Sequence, residues 1–140
     1  MVFDTLINRF RATDRNTRLE TLLDYSRKLP ELPGELRASS DLEAHRVTEC
    51  QTPVFLWVGV TGGAVTIFAE VPRESPTVRG FVALLIARIN GATPADVAAI
   101  PDDLLDQLAL GETLGMMRTQ GLTAILGRIK RSVAMATTES

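Results

Sequence analysis

The chain has 140 residues, 45% apolar and 23% charged, the balance of one ordinary globular domain over 1–140 that folds without metal or disulfide staples. Its 15 Lys and Arg against 17 Asp and Glu give no electrostatic reason to expect nucleic acid. No apolar run approaches the ~20 residues of a membrane span, and a single cysteine excludes an internal disulfide and a multi-cysteine zinc site.

Residues Met1 to Phe10 place Val2, Phe3, Leu6, Ile7 and Phe10 on one helical face. Asp4, Asn8 and Arg9 interrupt that stretch, so it lacks the apolar core of a secretory signal, and the expected location is the reducing cytoplasm. Thr13 or Asp14 can cap a second helix, with Leu19, Leu22, Leu23, Ser26 and Leu29 as its apolar face. Pro30 and Pro33 stop it. Glu31 to Leu42, with Gly34 and Ser39-Ser40, reads as a loop.

The period then changes. Val54 to Val60 and Ala64 to Glu70 are β-rich apolar runs joined by a tight turn at Thr61-Gly62-Gly63. A shorter strand is expected near Ala44 to Val47, giving a three-stranded antiparallel sheet. Beyond it the pattern is helical. Ser75 and Pro76 open a helix whose stripe is Val78, Phe81, Val82, Leu85, Ile86 and Ile89, closed by Gly91. Thr93-Pro94-Ala95-Asp96 starts a short helix, and another covers Asp102 to Leu108. A last helix runs from about Met117 to Val133, and Ala134 to Ser140 is expected to fray. The cluster Arg128, Lys130 and Arg131 suits that helix's C-terminus. Segregated strands and helices make the fold α+β, with helices packed on one face of the small sheet. No strand–helix–strand alternation and no glycine-rich phosphate loop point to a nucleotide site.

Cys50 lies among polar neighbours, with Pro53 just ahead of the next strand, so it is expected on a loop at the sheet's edge. Such a thiol can be swung toward a partner more cheaply than one fixed in a strand. A lone cysteine can equally be an inert small hydrophobe of the core. The carboxylate of Glu49 next door works against a thiolate. His45, the one histidine, could act as a base for Cys50 in a thiol hydrolase, but an extended 45–50 segment keeps the two apart. No ligand spacing around it predicts a metal site. Arg79 and Arg118 each sit near a helix start, against the dipole, and are placed either for an external anion or simply in water. Glu74 is a dipole-favourable carboxylate.

Three segments carry a resemblance. Leu29-Pro30-Glu31-Leu32-Pro33, Cys50-Gln51-Thr52-Pro53-Val54-Phe55-Leu56-Trp57 and Arg118-Thr119-Gln120-Gly121-Leu122 are similar, in order and spacing, to segments of the SufE family of sulfur acceptors in iron–sulfur cluster assembly. The stretch that begins at Cys50 is similar to the family's Gly-Cys-Gln-Ser-Gln-Val-Trp signature. The resemblance runs from about Arg18 to Val133. It implies a fold like the NifU-type scaffolds. It also implies docking to, and stimulation of, a SufS-type cysteine desulfurase that brings its own PLP, so that this chain needs no cofactor. Persulfide formation on Cys50 and delivery of the sulfur to a SufBCD-type complex are implied as well, with Arg118 near the partner interface and the acceptor loop; Gln51, Glu74 and Arg79 are the further candidates for supporting docking or transfer. Whether the chain forms a homodimer stays open. Glu49 stands where the family has glycine, and Thr52-Pro53 where it has Ser-Gln; loss of that glycine stiffens the acceptor loop. Two other functions fit less well: a regulator that binds a desulfurase without using its thiol, and a hydrolase built on Cys50 and His45.

Overall fold

Gly62 and Gly63, both at positive φ, turn the chain back on itself between its two strands. The computed structural model describes residues 2–38 and 41–139. Its helices are α1 (Asp4–Arg11), α2 (Arg15–Ser26), α3 (Gly34–Arg37), α4 (Pro76–Ile89), α5 (Pro94–Ala98), α6 (Leu104–Gln107), α7 (Leu110–Leu114) and α8 (Met116–Glu139). The strands are β1 (Phe55–Thr61) and β2 (Ala64–Glu70), and a 3-10 turn covers Leu42–His45.

The strands pair antiparallel, with Leu56 opposite Ala69, Val58 opposite Ile67 and Val60 opposite Val65. Those residues form the inner face, and α4 and α8 pack behind the sheet, with α2 outside α4. Phe81, Val82, Leu84, Leu85 and Ile89 of α4 meet Leu122, Ile125, Leu126 and Ile129 of α8 in the core. Gly80 lets α2 and α4 approach closely: a β-carbon there would stand 2.0 Å from the Leu22 carbonyl oxygen.

Several expectations change. The sheet has two strands among the described residues, not three. Residues 42–45 wind into the 3-10 turn, and Arg46 makes only a single bridge to Phe55. A side chain takes the place of the missing strand. The His45 ring stacks on Trp57 with centroids 4.9 Å apart, and its Nδ1 donates to the Leu56 carbonyl at 3.0 Å. The expected loop at 31–42 contains α3, while Ser39-Ser40 lie outside the described residues. In α2 the buried face is rotated: Leu23 is exposed and Arg18 is 8% exposed. Arg18 Nε donates to the Phe10 carbonyl at 2.8 Å and its guanidinium pairs with Glu112 at 3.0 Å, joining α1, α2 and α7. The short helix α7 was not expected, and α8 continues past Val133 to Glu139.

Candidate functional site

Pro53 ends a loop whose base is closed by one backbone hydrogen bond. The Val47 N–H donates to the Val54 carbonyl at 2.8 Å, and both residues are fully buried. Residues 48–53 project from this base. The Cys50 N–H donates to the Val47 carbonyl at 3.3 Å, which folds the loop inward. Cys50 is therefore on a loop at the sheet's edge, as expected, but turned in and only 5% exposed.

Its seat is helix α8. A β-carbon on Gly121 would stand 3.3 Å from Cys50 Sγ, so a side chain there would force the thiol to give by a few tenths of an ångström. Further along α8, Arg128 donates to the carbonyls of Ala44 at 2.8 Å and Arg46 at 3.1 Å, binding the segment ahead of the loop. Arg131 approaches the Glu49 carboxylate at 3.8 Å. Glu49 also accepts from the Thr48 hydroxyl at 3.0 Å. Its own backbone N–H, then Thr48, and then Arg131 and Arg128 hold its carboxyl below the usual range.

The thiol is not sealed in. It belongs to the wall of a pocket of about 450 Å³ with three sides. One is the loop from Glu49 to Thr52, one the start of α4 from Glu74 to Val78, and one the start of α8 from Met117 to Gly121. Of the residues singled out in the sequence, Cys50, Gln51, Glu74 and Arg118 come together here. Gln51, Glu74 and Arg118 are exposed around a buried thiol. Ser75 stands at the N-cap position of α4 without capping it through its side chain, and lines the pocket too.

Arg79 is elsewhere. Its Nε donates to the Ser26 carbonyl at 2.9 Å and a terminal nitrogen to the Val71 carbonyl at 2.6 Å. It sits at a helix start because it satisfies the last carbonyl of α2, a group that no helical N–H can reach. Arg79 borders a separate groove of about 540 Å³, with Arg37, Glu70 and Arg73, which holds no nucleophile. That groove is larger, but the thiol lines the other pocket. His45 is not in the thiol's pocket: Nδ1 is bound to Leu56 and Nε2 lies 3.4 Å from Asp41. Among the described residues no cluster of three or more His, Cys, Asp or Glu could hold a metal. Nor is any of their helices long and apolar enough to cross a membrane.

Gly121, Arg128 and Arg131 were not recognised as parts of this site from the sequence. The available signal was a pair of glycines, Gly121 and Gly127, inside an otherwise well-formed helix, where each costs about 1 kcal/mol relative to alanine.

Residues 4–133 match the family described as SufE, Fe-S metabolism associated domain. A SufE-like protein of Mycobacterium tuberculosis is 35% identical over 132 residues, covering 94% of this chain and 90% of its own. The sulfur acceptor protein CsdE of Escherichia coli is 33% identical over 127 residues, covering 87% of this chain and 81% of its own. A solution structure of a hypothetical protein from Thermus thermophilus superposes with a TM-score of 0.83 at 34% identity, covering 98% of this chain and 96% of the other. On the family match over nearly its full length, and on these relatives, the chain belongs to the SufE family.

Proposed function

We propose that this protein is a sulfur acceptor and carrier, in which Cys50 takes a sulfane sulfur from a SufS-type, PLP-dependent cysteine desulfurase and stimulates that enzyme. The sulfur then passes to a SufBCD-type assembly complex. One observation carries the reading: the chain's single cysteine sits on a short projecting loop and forms part of the wall of an open, charge-rimmed pocket. The kinship with the sulfur acceptor CsdE supports it.

The chemistry is thiol–disulfide exchange. The Cys50 thiolate attacks the outer sulfur of the donor's persulfide, the donor's S–S bond breaks, and the donor's cysteine leaves as a thiolate. The acceptor then holds one extra sulfur, and no external oxidant or reductant is consumed. Arg118, exposed at the pocket, supplies a cation for the attacking thiolate in the encounter complex. Met116 and Met117, 76% and 78% exposed at the start of α8, offer a soft apolar surface to a protein partner. With no second cysteine, nothing in the chain can resolve the persulfide prematurely.

The test is to mix the protein with a SufS-type desulfurase and free cysteine and weigh the intact chain. One added sulfur on Cys50, absent from Cys50→Ser, is the expected result. An unmodified chain together with undiminished desulfurase stimulation by Cys50→Ser would identify a regulator that does not use its thiol.

A further inference from the structure

Helix α8 touches the Cys50 loop at two electrostatically different places. Near its start, bare Gly121 seats the thiol; ten residues later, Arg131 meets Glu49. Helical side chains lean toward the N-terminus, so the Arg131 guanidinium lies back over the preceding turns. Gly127 lies beneath that path: a β-carbon there would stand 3.1 Å from a terminal nitrogen of Arg131, the far end of a flexible side chain. Gly121 thus lies under the thiol and Gly127 under the guanidinium that approaches Glu49. Glu49 is oriented in turn by the Thr48 hydroxyl, and its ionised form is favoured first by its own backbone N–H, then by Thr48 and by the Arg131 and Arg128 charges.

We propose that Glu49 and Arg131 are a positioning pair, an electrostatic latch that sets how often the Cys50 loop lifts from α8. The loop's base is fixed by the Val47–Val54 hydrogen bond and by the hydrogen bonds of Arg128 to Ala44 and Arg46; Arg128 acts on Glu49 only through its charge, and less than Arg131 does. The latch therefore acts on the part of the loop that can move. Both partners are half-exposed, so the pair is weak and salt-sensitive, and a docking protein can open it by offering its own charge to either member. The inference rests on the sulfur-acceptor reading for its purpose, but not for its test.

The test is the rate at which iodoacetamide, an uncharged probe, alkylates Cys50 in the full chain at fixed pH. Glu49→Gln and Arg131→Gln should each raise the rate about two- to five-fold, the range of an exposed ion pair. The double variant should react no faster than the quicker single variant, because both remove one interaction. The wild-type rate should rise with sodium chloride while that of Glu49→Gln stays level. A purely local field effect on the thiol predicts opposite signs: loss of the anion speeds alkylation and loss of the cation slows it. Opposite signs, additive effects or unchanged rates would each overturn the latch. Arg131→Lys should keep most of the slow rate, which a simple packing role for the long side chain would also allow. The exchanged pair Glu49→Arg with Arg131→Glu separates the two, since it should slow alkylation only if charge pairing matters. Alkylation needs no sulfur donor, so failure here is distinct from failure of sulfur transfer.

Discussion

A β-carbon on Gly121 would stand 3.3 Å from Cys50 Sγ and 3.7 Å from Cys50 Cα, so the Cys50 thiol lies directly on a turn of α8 where Gly121 offers no side chain. Helix propensity and thiol seating oppose each other at this one residue.

Gly121→Ala should therefore separate them. Alanine favours the helix by about 1 kcal/mol, while its methyl group presses on the loop. The expected outcome is nearly unchanged global stability with Cys50 alkylation faster by about five-fold or more, the loop giving way before the helix. Alkylation kinetics and thermal unfolding of the same sample decide it. An unaltered rate would mean that the loop absorbs the methyl group without lifting.

Gly80→Ala should behave differently, because its added carbon would meet backbone. The Leu22 carbonyl oxygen is 2.0 Å and its carbon 2.7 Å from that position, so α2 and α4 must part. We expect a loss of about 3 kcal/mol or more in urea unfolding, at the upper end of overpacking costs. A loss under about 1 kcal/mol would show that these helices slide apart freely.

Asp14 caps α2 by accepting from the Thr17 N–H at 2.8 Å. Hydrogen bonding from Thr17, side chain and backbone, holds the Asp14 carboxyl below its ordinary value. A carboxyl with a lowered folded-state pKa stabilises fully above the unfolded value, and that contribution fades as pH falls below about 4 and through the folded value. Asp14→Ala should lower the unfolding midpoint at neutral pH and make its decline in acid shallower. Parallel acid profiles for the two proteins would show that the cap contributes nothing to acid sensitivity.

Much of this architecture was legible because apolar spacing and turn residues agree locally. The Gly62-Gly63 hairpin, the Thr93-Pro94 start with its Asp96 capping box, and the α4 stripe all follow from neighbours in sequence. The site was half legible. Cys50, Gln51, Glu74 and Arg118 share a pocket because loop, α4 and α8 converge; the family resemblance implied that Arg118 lies near the loop, and nothing in the spacing brought Glu74 there. What escaped was set by distant backbone. Arg79 reads as a misplaced cation until the Ser26 carbonyl, 53 residues away, is seen to need it. Arg18 reads as surface until Phe10 and Glu112 enclose it. The expected third strand failed because His45 covers the sheet edge with a ring, a choice no periodicity records.

The hydrogen bond between Val47 and Val54 makes the segment that carries the thiol a leash of fixed length. Cys50 stands three residues beyond one tether point, so even a fully stretched chain carries it no more than about 10 Å from the sheet's edge. Under the proposed sulfur-acceptor role, a donor protein must bring its own sulfur across the remaining gap, and cargo exchange is limited to partners whose surfaces nestle almost against this domain.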